Sequence, residues 1–142
     1  MTHIKFEVPP KPKARPRFAN GQVYTPNSTK VYEESIAQEY LLKKGKKYLG
    51  PVSIFITFNY KIPNSRLKEL KHGQVCVEKA DLDNLIKIFG DSLNGIAYLD
   101  DKQVYKIVAE KKWADSNSVD VMIFEREEDD GSKMDQNCNQ HI

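Results

Sequence analysis

Apolar and polar positions alternate along several stretches of the chain and fall at helical spacing along another. Ile4, Phe6 and Val8 alternate with polar neighbours, which predicts a strand over 2–8 ending at Pro9-Pro10. Val52, Ile54, Ile56 and Phe58 alternate with Ser53, Phe55, Thr57 and Asn59 and predict a strand over 52–61. Two further strands are expected over 103–114 and 118–125, joined by a turn at Asp115-Ser116-Asn117. Leu82, Leu85, Ile86, Phe89 and Leu93 form a helical stripe over 82–94, with Asp81 placed as N-cap and Asn94-Gly95 as the stop. A helix over 28–48 is expected from Ser28 or Thr29 as cap, Glu33 and Glu34 early, and Lys43, Lys44, Lys46 and Lys47 late.

Between these elements lie two loops. Residues 9–27 hold five of the seven prolines together with Lys11, Lys13, Arg15 and Arg17, and show no period. Loops of that length in compact domains are commonly functional or disordered. Residues 63–73 are basic and polar, a loop with a short helical turn. The order β-α-β-α-β-β predicts an α/β (α+β) fold, a small single domain whose mixed β-sheet is flanked by two main helices. That domain is expected over 1–126, with an acidic, apolar-poor, disordered tail over 127–142.

Charge changes the picture. The 142 residues sum to +2, but residues 1–80 carry 15 Lys and Arg against 6 Asp and Glu, and residues 81–142 carry 7 against 14. A basic half points to a polyanionic partner. No apolar run is long enough to span a bilayer, and the first residues lack a signal peptide's apolar stretch, so no membrane role is expected. Two cysteines, Cys76 and Cys138, have no metal-type spacing, and a reducing, cytoplasmic setting is expected.

The densest chemistry is Asp81-Leu82-Asp83-Asn84, followed by Tyr98-Leu99-Asp100-Asp101. Hard divalent cations take carboxylate oxygens, waters and substrate phosphates. Two carboxylates one residue apart at a helix start can aim at one point. Read blandly, Asp81 is a cap, Asp83 pairs with Lys87, Asp100-Asp101 is a turn, and Asp91 faces solvent. His72, in a basic loop, is a candidate general base, and Trp113 a core residue. The basic side chains, interleaved with Phe18, Tyr24 and Tyr32, suit a nucleic-acid backbone.

Two stretches carry a family resemblance. Arg15-Pro16-Arg17-Phe18, Tyr24-Thr25-Pro26, Thr29 and Tyr32 form the first. Asp81-Leu82-Asp83-Asn84-Leu85-Ile86-Lys87, Asp91-Ser92-Leu93-Asn94-Gly95 and Asp100-Asp101-Lys102-Gln103-Val104 form the second. Together they resemble the RusA family of Holliday junction resolvases of bacteria and their phages, over roughly residues 3–125. Ala80 stands where some members carry an arginine.

The resemblance implies a Mg²⁺-dependent endodeoxyribonuclease (Mn²⁺ also serving) that cuts four-way DNA junctions as a homodimer, in recombination and repair. It implies Asp81, Asp83 and Asp101 as metal-binding carboxylates, with Asp100 the neighbour that fits the same place, and Lys87 as the catalytic lysine. Lys13, Arg15, Arg17, Lys30 and Lys79 are the expected DNA contacts. The rival readings are a nucleic-acid-binding protein whose aspartates serve only as caps and turns, and an aspartyl-nucleophile phosphatase. The second wants a strand end before its DxD motif and a Thr or Val after it, where this chain has Asn84 and a helix.

Overall fold

A computed structural model describes residues 1–13, 17–24 and 27–126 of the chain. The elements are β1 (Thr2–Phe6), β2 (Arg17–Ala19), β3 (Gln22–Tyr24), α1 (Asn27–Leu42), β4 (Val52–Lys61), α2 (Leu82–Leu93), β5 (Val104–Ala114) and β6 (Ser118–Glu125), with 3₁₀ turns at Asn64–Arg66 and Asp101–Gln103. Four strands form a mixed sheet in the order β1-β6-β4-β5. β4 runs parallel to β5 and antiparallel to β6, and β1 is antiparallel to β6. The predicted α+β class and its two-helix, mixed-sheet layout are what the chain adopts.

The period-2 pattern dictates which face is covered. Val52, Ile54, Ile56, Phe58 and Tyr60 of β4 are buried, and so are Val119, Val121 and Ile123 of β6 and Ile4 and Phe6 of β1. α1 supplies Tyr32, Ile36 and Tyr40 to this core, and α2 supplies Leu85, Ile88, Phe89 and Leu93. Phe89 is the hub. Its ring meets Phe6, Tyr32 and Phe58 edge-on, at centroid separations of 5.5, 6.3 and 5.8 Å. Such pairs add about 0.5–1.5 kcal/mol each beyond area burial. α2 is thereby pinned to the sheet by one face, and its polar face is left outward.

Two local expectations are corrected. The 9–27 segment is not uniformly irregular: β2 and β3 form a hairpin with Arg17 opposite Tyr24. Asn20 and Gly21 sit at φ 53° and 75°, the pair of left-handed residues that a tight two-residue hairpin turn demands. α1 starts at Asn27 and stops at Leu42, not 48, because Lys44 turns to φ 60° and Gly45 N–H closes back on the Tyr40 carbonyl at 2.8 Å. Lys43, Lys44, Lys46 and Lys47 therefore follow the helix instead of ending it. The expected tail over 127–142 lies outside the described residues, as does Cys138. Cys76 is buried with a free thiol. No helix among the described residues is long and apolar enough to cross a membrane.

Candidate active site

The β4-α2-β5 crossover positions the chemistry. The segment after β4 is drawn along the outer edge of β5: Gly73 N–H bonds the Trp113 carbonyl at 2.7 Å, Trp113 N–H the Gln74 carbonyl at 2.8 Å, and Cys76 N–H the Lys111 carbonyl at 3.0 Å. Arg66 braces it with Glu78 at 2.8 Å and Glu69 at 3.2 Å. Lys111 then reaches across from β5, its Nζ donating to the Ala80 carbonyl at 2.9 Å. The residue that follows is Asp81. It occupies the N-cap position with extended backbone (φ −62°, ψ 136°), yet its carboxylate makes no cap hydrogen bond. The bland reading of Asp81 as an ordinary cap therefore fails, and its oxygens are left for another partner.

Asp83, Lys87 and Asp91 recur every four residues along α2, so they share one outward stripe, about 6 Å apart along the axis at each step. Asp83 and Lys87 do not form the ion pair expected of this spacing: neither appears in a salt bridge among the described residues. Lys87 and Asp91 instead line a cleft of about 380 Å³ between α2 and the sheet, with Asp101 on the same wall. The cleft floor is apolar, from Ile54, Ile56, Phe89 and Leu93, with Tyr98 beside them. Burial, together with the charges of Asp101 and Asp91, pushes the Tyr98 phenol up to about 12, so it stays neutral.

Asp100 and Asp101 differ in their surroundings. Asp100 caps the 3₁₀ turn at 101–103, its carboxylate accepting from Lys102 N–H at 2.9 Å. Gln103 completes a capping box: its Oε1 accepts from the Leu99 and Asp100 amides at 2.7 and 2.9 Å, and its Nε2 donates to the Tyr48 and Gly50 carbonyls at 3.0 and 2.8 Å. Asp100 is held below the usual carboxylate range by the Lys102 amide and by Asp101. Asp101 is pushed above it by its hydrogen bond to Asp100 and by the Asp100 and Asp91 charges. Asp100 thus caps the turn, and Asp101 lines the cleft.

The structure joins Lys87 and Asp101 and leaves Asp81 and Asp83 on the first turn of α2, outside the cleft wall. Among the described residues no three His, Cys, Asp or Glu side chains are grouped closely enough to hold a metal ion. The donors themselves suit a hard divalent cation. All are carboxylate oxygens, Asp81 is relieved of capping, and Asp81, Asp83 and Asp101 are exposed.

Asp91 is exposed, as expected, and it also lines the cleft and pairs with Lys13 at 3.1 Å. Its signal was the four-residue step from Lys87. Lys13 also meets Glu33 at 3.3 Å, so its charge is answered within the chain. Lys30 and Lys79 are exposed, with Lys79 over the Trp113 ring at 5.8 Å. Arg15 lies outside the described residues, and Arg17 is placed by its backbone only, in β2. His72 stands 3.5 Å from Asp115, in a separate polar pocket with Lys5 and Asp120, which removes it as a base for this cleft.

The family model described as "Endodeoxyribonuclease RusA" matches residues 7–124, a span holding both helices and Asp81, Asp83, Lys87, Asp91 and Asp101. The "Uncharacterized protein YqaN" of Bacillus subtilis (strain 168) is 32% identical over 139 residues, covering 88% of this chain and 98% of that protein. The chain therefore belongs to the RusA endodeoxyribonuclease family of Holliday junction resolvase nucleases, hydrolases that act on the phosphodiester bonds of DNA.

Proposed function

We propose that the protein is a divalent-metal-dependent endonuclease that resolves four-way junctions in DNA recombination and repair, acting as a homodimer in a cytoplasmic setting. The observation that carries this reading is the meeting of Lys87 and Asp101 in one cleft, on the helix whose first turn presents the uncapped Asp81 and Asp83. Asp81, Asp83 and Asp101 hold the cation, Mg²⁺ or Mn²⁺. When bound, it supplies charge relief on the scissile phosphate and a water of lowered pKa.

Lys87 places an ammonium within the cleft, where it neutralises charge that grows on the phosphate as the bond breaks. Lys30 and Lys79, exposed to solvent, and Arg15 and Arg17 of the N-terminal segment take DNA phosphates, so binding is shape-led and falls steeply with salt.

A junction has approximate twofold symmetry and needs two matched cuts, which a C2 dimer supplies. The edge strand β5 supports this. Among the described residues its far side is unpaired over Val104–Ala109, and Tyr105 and Val108 are exposed there, apolar side chains on an edge of the kind proteins cover.

Cleavage of a synthetic four-way junction, with linear duplex as control, tests the reading. Paired nicks in the junction that require Mg²⁺ or Mn²⁺ support it. Equal cutting of the duplex, or cutting in EDTA, contradicts it.

A further inference from the structure

Lys13 is the least expected feature of the cleft. Its backbone N–H bonds the Asn84 carbonyl on α2 at 3.2 Å, so the chain runs along the α1–α2 groove at this point. Its ammonium lies 3.3 Å from Glu33 of α1 and 3.1 Å from Asp91 of α2, with only 19% of the side chain exposed. Asp91 in turn lines the same cleft as Lys87 and Asp101. Without Lys13, two carboxylates, Asp91 and Asp101, would face one another there with Lys87 as the remaining cleft cation.

We propose that Lys13 is a positioning residue which holds Asp91 neutralised at the cleft wall, so that the divalent cation is drawn to Asp81, Asp83 and Asp101 and not to Asp91. The proposal rests on the metal-dependent reading above and assigns Lys13 an inward role in place of a DNA contact. A lysine suits the task because its compact charge reaches two carboxylates on a flexible stem. Its backbone bond to Asn84 also ties the chain at Lys13 to the helix that carries Lys87.

The test measures Mn²⁺ binding by calorimetry, without DNA, and junction cleavage under single turnover. Variants are Lys13→Met, Lys13→Arg, Asp91→Asn and the double variant Lys13→Met/Asp91→Asn, each checked for a cooperative melt. Lys13→Met is expected to bind Mn²⁺ roughly three- to ten-fold more tightly, the scale of one uncompensated charge nearby. It is expected to cleave about tenfold more slowly, because the freed carboxylate draws the ion from the productive set. The double variant regains wild-type affinity and most of the cleavage rate, and Lys13→Arg stays close to wild type.

A residue that merely anchored the segment would slow cleavage with no tighter Mn²⁺ binding and no recovery on removing Asp91, and that result overturns the proposal. Should Lys13→Met not fold, Asp91→Asn decides alone. Mn²⁺ binding weakened roughly three- to ten-fold with cleavage retained supports the proposal, and abolished cleavage, the mark of Asp91 as a ligand, overturns it. Wild-type protein that binds no Mn²⁺ overturns this proposal and the metal reading together. Wild-type binding that Asp81→Asn abolishes but Lys13→Met leaves unchanged overturns this proposal only.

Discussion

Asp100 and Asp101 are adjacent in the chain, each carboxylate shifts the other's ionisation, and they do opposite work. Asp100 accepts the Lys102 amide and closes the turn, and Asp101 opens onto the cleft that holds Lys87. Replacing them separates the two roles. Asp100→Ala should cost about 0.5–2 kcal/mol of stability, the price of a lost cap, and keep cleavage. Asp101→Asn should melt like wild type and lose roughly a hundredfold or more in cleavage. Denaturant melts beside junction cleavage read both.

The same pair sets a pH dependence. Asp101 must be ionised to hold a cation, and its hydrogen bond to Asp100 raises the pH at which it ionises. As pH falls, cleavage should therefore fail above the ordinary carboxylate value of about 3.9. Asp100→Ala removes the cause, so its acid limb should move to lower pH. A pH–rate profile of the two proteins checks the direction, and coincident acid limbs count against it.

Gln103 is the support behind Asp101. Its amide makes four hydrogen bonds that tie the Asp100-Asp101 turn to Tyr48 and Gly50. Gln103→Met keeps the volume and loses all four, with an expected cost of about 1–3 kcal/mol. Cleavage should drop more than the melt implies, since the turn that aims Asp101 is loosened. Activity measured well below the melting temperature separates the two effects.

Phe89 anchors α2 through three edge-on ring contacts and is fully buried. Phe89→Ala should cost about 3–5 kcal/mol, measured by denaturant unfolding. Gly45→Ala is smaller in size but hits a rigid neighbour, because a Cβ there runs into the Tyr40 ring. About 1–3 kcal/mol is expected.

The β5 edge gives an independent prediction. Val108 is 44% exposed and lies off the cleft lining, so Val108→Glu should leave the fold and the cleft intact. Sedimentation should then show a monomer where wild type is a dimer. A dimer that survives the change places the interface elsewhere.

Much of this was legible in the sequence, for identifiable reasons. β4 carries strict alternation because one face is buried under two helices and the other is half-covered, and its predicted bounds are the observed ones. α2 carries its apolar stripe because Phe89 and its neighbours meet the sheet. The β2–β3 hairpin was missed because its strands are three residues each, too short to show a period, and the signal lay wholly in Asn20-Gly21. The end of α1 was overrun because a Lys-rich run reads as a helix end, whereas the backbone had already turned at Lys44. In the site, the clustered aspartates stand out in the sequence, whereas the meeting of Lys87 and Asp101 in one cleft is made by the fold. The pairing of Lys13 with Asp91, and the support from Gln103 and Lys111, depend on contacts across 78, 55 and 31 residues of chain, which no local pattern encodes.

The central claim is that carboxylates on the first turn of α2 hold the ion that cuts DNA. Its most direct test is the cleavage of a synthetic four-way junction in Mg²⁺ by wild type, Asp81→Asn and Asp83→Asn, with junction binding measured in parallel. Wild type should make paired nicks, and both variants should bind the junction and fail to cut it. Full cleavage by both variants would contradict the account.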